Sequence, residues 1–264
     1  MVILVMLCVA KKNAYNYTQI NMENLPPLNK PIFYHFLGPD WYSILKDIFE
    51  SDSFHQIGVR LMRERGTGLN IIPAHEKIHL AFRAFRECNP KDLKIIILGQ
   101  DPYPQPGVFD GLAFSNGNSQ RASPSLRTIL SEIERTEYPE GYPEDDDINR
   151  LDLTRWAKQG ILLLNTALTV VAGSPESHTK LWEPFTAKLI ARLTETTTGL
   201  IFLLWGRKAQ MYESFISNKD FHHILKAGHP SPLNSTNPFY GCGIFSEAND
   251  LIRNMNGQEF TIKW

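Results

Sequence analysis

The stretch Leu98-Gly99-Gln100-Asp101-Pro102-Tyr103-Pro104 holds a carboxylate between a glycine and two prolines, directly after the apolar run Ile95 to Leu98. Proline fixes φ, so an acid in this setting sits on stiff backbone. Three other short apolar runs end in comparable residues: Asn165-Thr166, Trp205-Gly206-Arg207, and Gly228-His229-Pro230-Ser231-Pro232-Leu233. Taken singly, each polar residue has an ordinary role, since Asp-Pro makes turns, Asn caps helices and loop histidines find local partners. An acid, an amide and an imidazole at three matching chain positions, on loops bracketed by proline, form instead the kind of set that preorganised chemistry requires.

The elements that must carry these residues are legible from periodicity. Lys94 to Leu98, Ile161 to Leu164, Leu200 to Leu204 and His223 to Lys226 are short and rich in β-formers. Ile78 to Arg86, Leu126 to Arg135, Phe185 to Leu193 and Lys208 to Ile216 show helical spacing. Such alternation predicts an α/β fold in one domain: a four-stranded parallel twisted sheet flanked by helices on both faces. In an open parallel sheet, ligands bind beyond the carboxyl ends of the strands, where Asp101, Asn165 and His229 lie. Ahead of Leu126, Ser123 is placed to cap the helix and Pro124 suits its first position, which puts Ser125 at a helix N-terminus. Backbone N–H groups at such an end attract phosphate, although capping alone also accounts for the pattern.

A chain of 264 residues can bury a sizeable core. Its cysteines, at 8, 88 and 242, make neither a zinc pattern nor an even disulfide set, so free thiols are expected. A net charge of -1 argues weakly against nucleic-acid binding. The balance is uneven, however. Glu137, Glu140, Glu144, Asp145, Asp146 and Asp147 cluster without a base, and setting them aside leaves the rest of the chain at +5. Met1 to Ala10 is apolar but too short to span a bilayer, which takes about 20 residues. It has no basic leader and no clear cleavage site, so secretion is not expected. A targeting fragment and translation upstream of a start at Met22 both fit the segment, and Lys11 to Pro31 reads as a tail.

Four stretches resemble, in order, the motifs of the main family of uracil-DNA glycosylases: Gly99-Gln100-Asp101-Pro102-Tyr103, Gly111-Leu112-Ala113-Phe114-Ser115, Leu162-Leu163-Leu164-Asn165-Thr166, and His229-Pro230-Ser231-Pro232-Leu233. Asp152 to Gly160, Phe202 to Gly206 and Phe239 to Cys242 are similar as well. The resemblance runs from about Trp41 to Trp264. It implies a catalytic domain over 41–264, preceded by an extension at 1–40. It also implies cleavage of the bond between uracil and deoxyribose in DNA, with no metal and no cofactor.

The resemblance carries roles residue by residue. Asp101 stabilises the sugar cation and positions or deprotonates water, and His229 donates a hydrogen bond to uracil O2. Gln100 offers its backbone N–H to the same oxygen. Asn165 reads the O4 and N3 edge, Phe114 stacks on the base, and Tyr103 occupies the space of thymine's methyl group. Leu233 is the wedge that fills the stack once the base has left it. Ser125, Ser231 and the Ser115 to Ser123 segment fall in regions that grip the DNA backbone, where hydroxyls and backbone amides act without much basic charge. An Asp near the ordinary pKa of about 3.9 is a feeble base but a permanent anion, which favours the electrostatic role for Asp101.

Departures are local. Pro104 stands where most of the family has histidine, Val108-Phe109-Asp110 replaces a more polar run, Ser123-Pro124 is less proline-rich, and Asn234 replaces serine. Because of Pro104, a catalytically weak, DNA-bound accessory or scaffold protein is the alternative reading. Action on mismatched thymine is a third, which the Tyr103 ring opposes by shape. The expected partners are single- or double-stranded DNA containing uracil, and a protein inhibitor or a replication protein. The expected state is a monomer, off the membrane, in a compartment with DNA: nucleus, cytoplasm or organelle.

Overall fold

The computed structural model describes residues 32–142, 150–234 and 239–264. The expectations for Met1 to Ala10, for Met22 and for the acids Glu144 to Asp147 lie outside the described residues. In chain order the strands are β1 (Ile71–Ile72), β2 (Ile95–Gly99), β3 (Ile161–Asn165), β4 (Val170–Val171), β5 (Ile201–Trp205) and β6 (His223–Ala227). β2, β3, β5 and β6 form one parallel sheet in the order β3-β2-β5-β6. Every residue of β2, β3 and β5 is buried, because helices cover both faces; this is why these strands read as unbroken apolar runs. β6 is the edge strand, only half-buried along most of its length, with Lys226 exposed.

The order of the strands decides where a ligand can enter. From β2 the chain moves to β3 on one side, then crosses back over β2 to β5 and continues to β6. The β2–β5 boundary is therefore the topological switch point, with a crevice at its carboxyl end. Gln100-Asp101 leaves on one side of that crevice and Trp205-Gly206 on the other. Register matters too: Gly99 pairs with Asn165 and Trp205 with Ala227, so the three polar loops start at one level.

The helix expected from Leu126 runs over Pro124–Glu137, and the Ser123 Oγ accepts from the Leu126 N–H at 3.2 Å, as its capping role requires. The helix expected from Phe185 begins earlier, over Thr179–Thr196, and carries Pro184 near its start. The other two expected helices are each split: a 3-10 segment, His75–Phe82, precedes the α-helix Arg83–Glu87, and the α-helix Gly206–Gln210 precedes the 3-10 segment Met211–Phe215. The antiparallel pair β1–β4 was not expected, being two residues long on each side. It braces the segment that follows Asn165.

The boundary at Trp41 needs correction. A helix over Ile32–Leu37 buries Phe33 and Leu37 in the main core, where Phe33 meets Phe49, Phe54 and Phe82. Residues 32–40 thus belong to the packed body rather than to an extension. Among the described residues, no helix is long and apolar enough to cross a membrane.

Candidate active site

Asp101 stands in the loop after β2, held by two donors. The Gln100 side-chain amide donates to Oδ1 at 3.1 Å, and the Glu176 backbone N–H donates to Oδ2 at 2.6 Å. The loop is pinned from behind, where the Gln100 carbonyl accepts from the Thr166 hydroxyl and from the Ala167 N–H, both at 2.9 Å. Burial raises the Asp101 pKa above the ordinary carboxylate value; the Glu176 and Gln100 donors act against this. That corrects the expectation of a near-ordinary acid. A partly desolvated carboxylate holds a proton more firmly than an exposed one.

Asn165 ends β3 at 7% exposure. Among the described residues, no protein group hydrogen-bonds its side-chain amide. Its position depends on Gly99, the paired residue of β2. A Cβ on Gly99 would lie 2.2 Å from Asn165 Oδ1 and 2.8 Å from the Ala113 Cβ, so only glycine lets the amide lie across the strand end.

Tyr103 and Phe114 come from different loops and meet. The Tyr103 hydroxyl donates to the Phe114 carbonyl at 3.2 Å and lies 2.7 Å from Ser123 Oγ. Burial pushes the Tyr103 pKa up to about 12, so the hydroxyl stays protonated and able to donate. Phe114 adopts φ 64, an uncommon choice for a bulky side chain, and such strain gathers at functional sites. Its ring centroid lies 5.1 Å from Trp205 and 6.3 Å from His229.

Asp110 supports this turn, a role the sequence reading missed. It is 3% exposed. It accepts from the Leu112 N–H at 3.1 Å, the Gly117 N–H at 2.8 Å and the Ser115 hydroxyl at 2.5 Å. Arg83 lies 3.7 Å from the same carboxylate. A lone acid between Phe109 and Gly111 was the signal.

His229 follows β6. Its Nδ1 accepts from the Ser231 N–H at 3.0 Å. A backbone amide can only donate, so Nδ1 bears no proton. Burial, then the charge of Lys208, lower the pKa of this imidazole below the ordinary histidine value. At neutral pH the ring is therefore neutral with its proton on Nε2, ready to donate. Gly206, at φ +80, makes room: a Cβ there would lie 2.8 Å from the His229 Cβ. A groove of about 420 Å³ opens beside this residue, lined in part by Gln100, Trp205, Lys208, Ser231 and Leu233. Leu233 is 92% exposed at its mouth.

The structure thus gathers Gln100, Asp101, Tyr103, Phe114, Asn165 and His229 around the carboxyl ends of β2, β3 and β6, with Ser231 and Leu233 on the rim. Gln100 keeps its backbone N–H without a backbone acceptor among the described residues. Ser125 is half-buried in the first turn of its helix. Within the Ser115 to Ser123 segment, Ser115 does not fit a phosphate contact. It is fully buried, donating to Asp110 and accepting from the Leu153 N–H at 3.2 Å. Glu132 was also missed: a carboxylate at 0% exposure, it accepts from the Gly241 and Gly243 N–H groups at 2.6 and 2.7 Å and so fixes the Phe239-to-Cys242 turn.

Comparison with known proteins extends this geometry. Residues 85–253 match the Uracil DNA glycosylase superfamily. The uracil-DNA glycosylase of Serratia proteamaculans is 42% identical over 213 residues, covering 80% of this chain and 90% of that protein. The uracil-DNA glycosylase of Photorhabdus laumondii is 42% identical over 214 residues, with the same coverage of 80% and 90%. Among solved structures, mimivirus uracil-DNA glycosylase superposes with a TM-score of 0.77 at 25% identity, covering 96% of this chain and 95% of that one. A variant of mimivirus UNG in complex with UGI gives 0.74 at 26% identity, covering 86% and 88%.

Proposed function

Because the chain belongs to the uracil-DNA glycosylase superfamily, we propose that its reaction is carried by the side chains gathered at the sheet's carboxyl edge. The protein is a DNA repair enzyme that takes uracil out of the stack and hydrolyses its N-glycosidic bond, leaving an abasic site. Leu233, exposed at the rim, enters the duplex as the base leaves it. The extruded uracil lies on Phe114. Asn165 presents a donor and an acceptor to its O4 and N3–H, a pair that cytosine cannot match. Tyr103, held through its hydroxyl, blocks a 5-methyl group and so rejects thymine.

As the bond to C1′ lengthens, positive charge grows on the sugar and negative charge on uracil O2. The Asp101 carboxylate faces the first. The Nε2–H of neutral His229 and the N–H of Gln100 face the second, acting as oxyanion donors. Water then adds to C1′, and Asp101, whose proton affinity burial has raised, takes its proton. Ser125 and Ser231 hold flanking phosphates.

The observation that carries this reading is the Asn165 amide: at the end of a buried strand, fixed by contact with Gly99, and without a protein partner among the described residues. Once a base displaces water from this amide, a mismatched edge would leave polar groups unpaired at about 1–3 kcal/mol each, whereas the complementary edge satisfies them. Residues 32–264 act as one catalytic unit, as a monomer, on both single-stranded and duplex DNA in a DNA-containing compartment. The mimivirus structure in complex with UGI supports recognition of a protein inhibitor.

The test is direct. Oligonucleotides with one uracil, single-stranded and duplex, are incubated with the protein in EDTA and then treated with alkali. Strand scission at the uracil is expected in both. Intact strands with DNA still bound would leave the accessory or scaffold role instead.

A further inference from the structure

Two charged side chains outside the set described above link its two halves. Glu176 lies between β4 and the helix Thr179–Thr196, and its backbone N–H is the closest donor to the Asp101 carboxylate, at 2.6 Å. Its own conformation is unusual for a glutamate, with φ 68 in the left-handed region. Its side chain forms an ion pair with Lys208 Nζ, and both side chains are about half-exposed. Lys208 sits two residues beyond Gly206, the turn whose missing Cβ admits His229. The pair therefore bridges the loop that aims the acid and the turn that seats the imidazole, two segments that the sheet alone does not join.

Apart from the bridge, the Glu176 loop is held by hydrogen bonds of its backbone and of Ser177. Gly173 donates to the Pro104 carbonyl at 2.9 Å, and Ser177 Oγ accepts from the Val171 N–H at 2.8 Å. The Glu176 carbonyl accepts from the Thr179 N–H at 3.1 Å, but none of these contacts engages its side chain. A residue in a disfavoured φ needs something to hold it there, and the bond to Asp101 together with the ion pair to Lys208 does so. We propose that the Glu176–Lys208 ion pair is a positioning clasp for uracil excision, fixing the Glu176 N–H on Asp101 and the β5 turn against His229, on opposite sides of the extruded nucleotide. This inference rests on the assignment of Asp101 and His229 given above. Neither clasp residue touches substrate in this account; both act through the two catalytic residues.

The charged groups facing Asp101 are Glu176 and Lys208, and their fields oppose each other. Glu176 raises the Asp101 pKa and Lys208 lowers it; the remaining influences are burial and the neutral donors. Lys208 is likewise the only charged group acting on His229 among the described residues, and it lowers that pKa. Removing one partner or the other should therefore shift the acid limb of the rate in opposite directions.

The experiment measures single-turnover uracil release, DNA affinity and the pH profile of kcat/KM for the parent, Glu176→Gln, Lys208→Met and the charge swap Glu176→Lys/Lys208→Glu. Each single variant is expected to lose about three- to tenfold in kcat, with DNA affinity within roughly twofold of the parent. The swap is expected to recover most of that loss. The acid limb should move up by about 0.3 to 0.5 pH unit in Lys208→Met and down by a similar amount in Glu176→Gln. A purely structural contact would lower activity without these opposed shifts. Single variants with parental kcat, or a swap that fails to recover activity while its thermal unfolding matches the parent, would overturn the clasp. So would a loss for Lys208→Met confined to DNA affinity, which would make Lys208 a phosphate contact. If the parent itself released no uracil, the assignment of the site would fall and the clasp with it; parental release with unaffected variants would remove the clasp alone.

Discussion

The loops after β2 and β3 differ from the loop after β6 in how their working residues are held. Asp101 and Asn165 stand at the ends of strands buried at every residue and are fixed by partners far away in sequence: the Glu176 N–H for the acid, the close approach of Gly99 for the amide. His229 and Leu233 follow an edge strand; apart from the Gly206 turn that seats the imidazole, the hydrogen bonds that shape their loop are local, from the Ser231 N–H to His229 and from the Leu233 N–H to the Ser231 hydroxyl, each spanning two residues. The difference matches the tasks. Reading a base and steadying charge need atoms placed to a fraction of an ångström, which a buried sheet supplies. Entering a duplex needs an exposed, self-contained turn that can meet DNA without disturbing the core.

The largest effect should come from the buried side. Asp101→Asn removes the anion but keeps the shape, and is expected to lower kcat by about 10²- to 10³-fold while DNA affinity changes little. Equal losses in turnover and affinity would erase the contrast. The same variant should unfold at a higher temperature near neutral pH. Because burial raises the folded-state pKa of this acid, its contribution favours the fold at low pH and is lost as pH rises through that pKa; at neutral pH the buried charge is a burden that Asn lifts.

Gly99→Ala comes next. Its new Cβ would fall 2.2 Å from Asn165 Oδ1. Displacing the amide should cost about 10- to 100-fold in kcat/KM, with about 1–3 kcal/mol of stability lost to overpacking. Preserved uracil release together with preserved stability would show that the strand ends are looser than described. On the exposed side, Leu233→Ala should slow duplex cleavage about tenfold and single-strand cleavage by less than about threefold, since only a duplex must be opened. Comparable losses on both substrates would place Leu233 among the base-reading residues instead.

The two serines sharpen the same contrast. Ser115→Ala should cost about 1–2 kcal/mol in unfolding free energy through lost bonds to Asp110 and Leu153, with KM unchanged. Ser125→Ala should raise KM by about two- to threefold with stability unchanged. The smallest effect is a position on the pH axis: the acid limb of kcat/KM should lie above the ordinary aspartate pKa of about 3.9. A limb at or below that value would mean that burial does not govern this acid.

What could be read in the sequence follows the same division. The four strands are legible to within a residue or two: burial on both faces writes β2, β3 and β5 as apolar runs, and the half-buried edge strand β6 still carries Ile224 and Leu225. The Ser123 cap and the proline-bracketed turns are legible because their causes lie within a few positions. Gly99 beneath Asn165, Asp110 under Phe114, Glu132 behind the Phe239-to-Cys242 turn and Glu176 on Asp101 are not, since each depends on how distant segments pack. The misreading of Ser115 has the same origin: a motif gives the residue type, whereas burial decides whether its hydroxyl faces DNA or a neighbouring carboxylate. So does the pKa of Asp101, which the turn around it does not encode but the surrounding walls do.

The most direct test of the account is a crystal structure of the protein with duplex DNA carrying a non-hydrolysable deoxyuridine analogue. The account predicts one nucleotide out of the helix, its uracil on Phe114 with O2 at His229 Nε2 and O4 and N3 at Asn165, its C1′ facing the Asp101 carboxylate, and Leu233 in the gap. A uracil seated elsewhere, or Asp101 and His229 approaching the nucleotide from the same side, would contradict it.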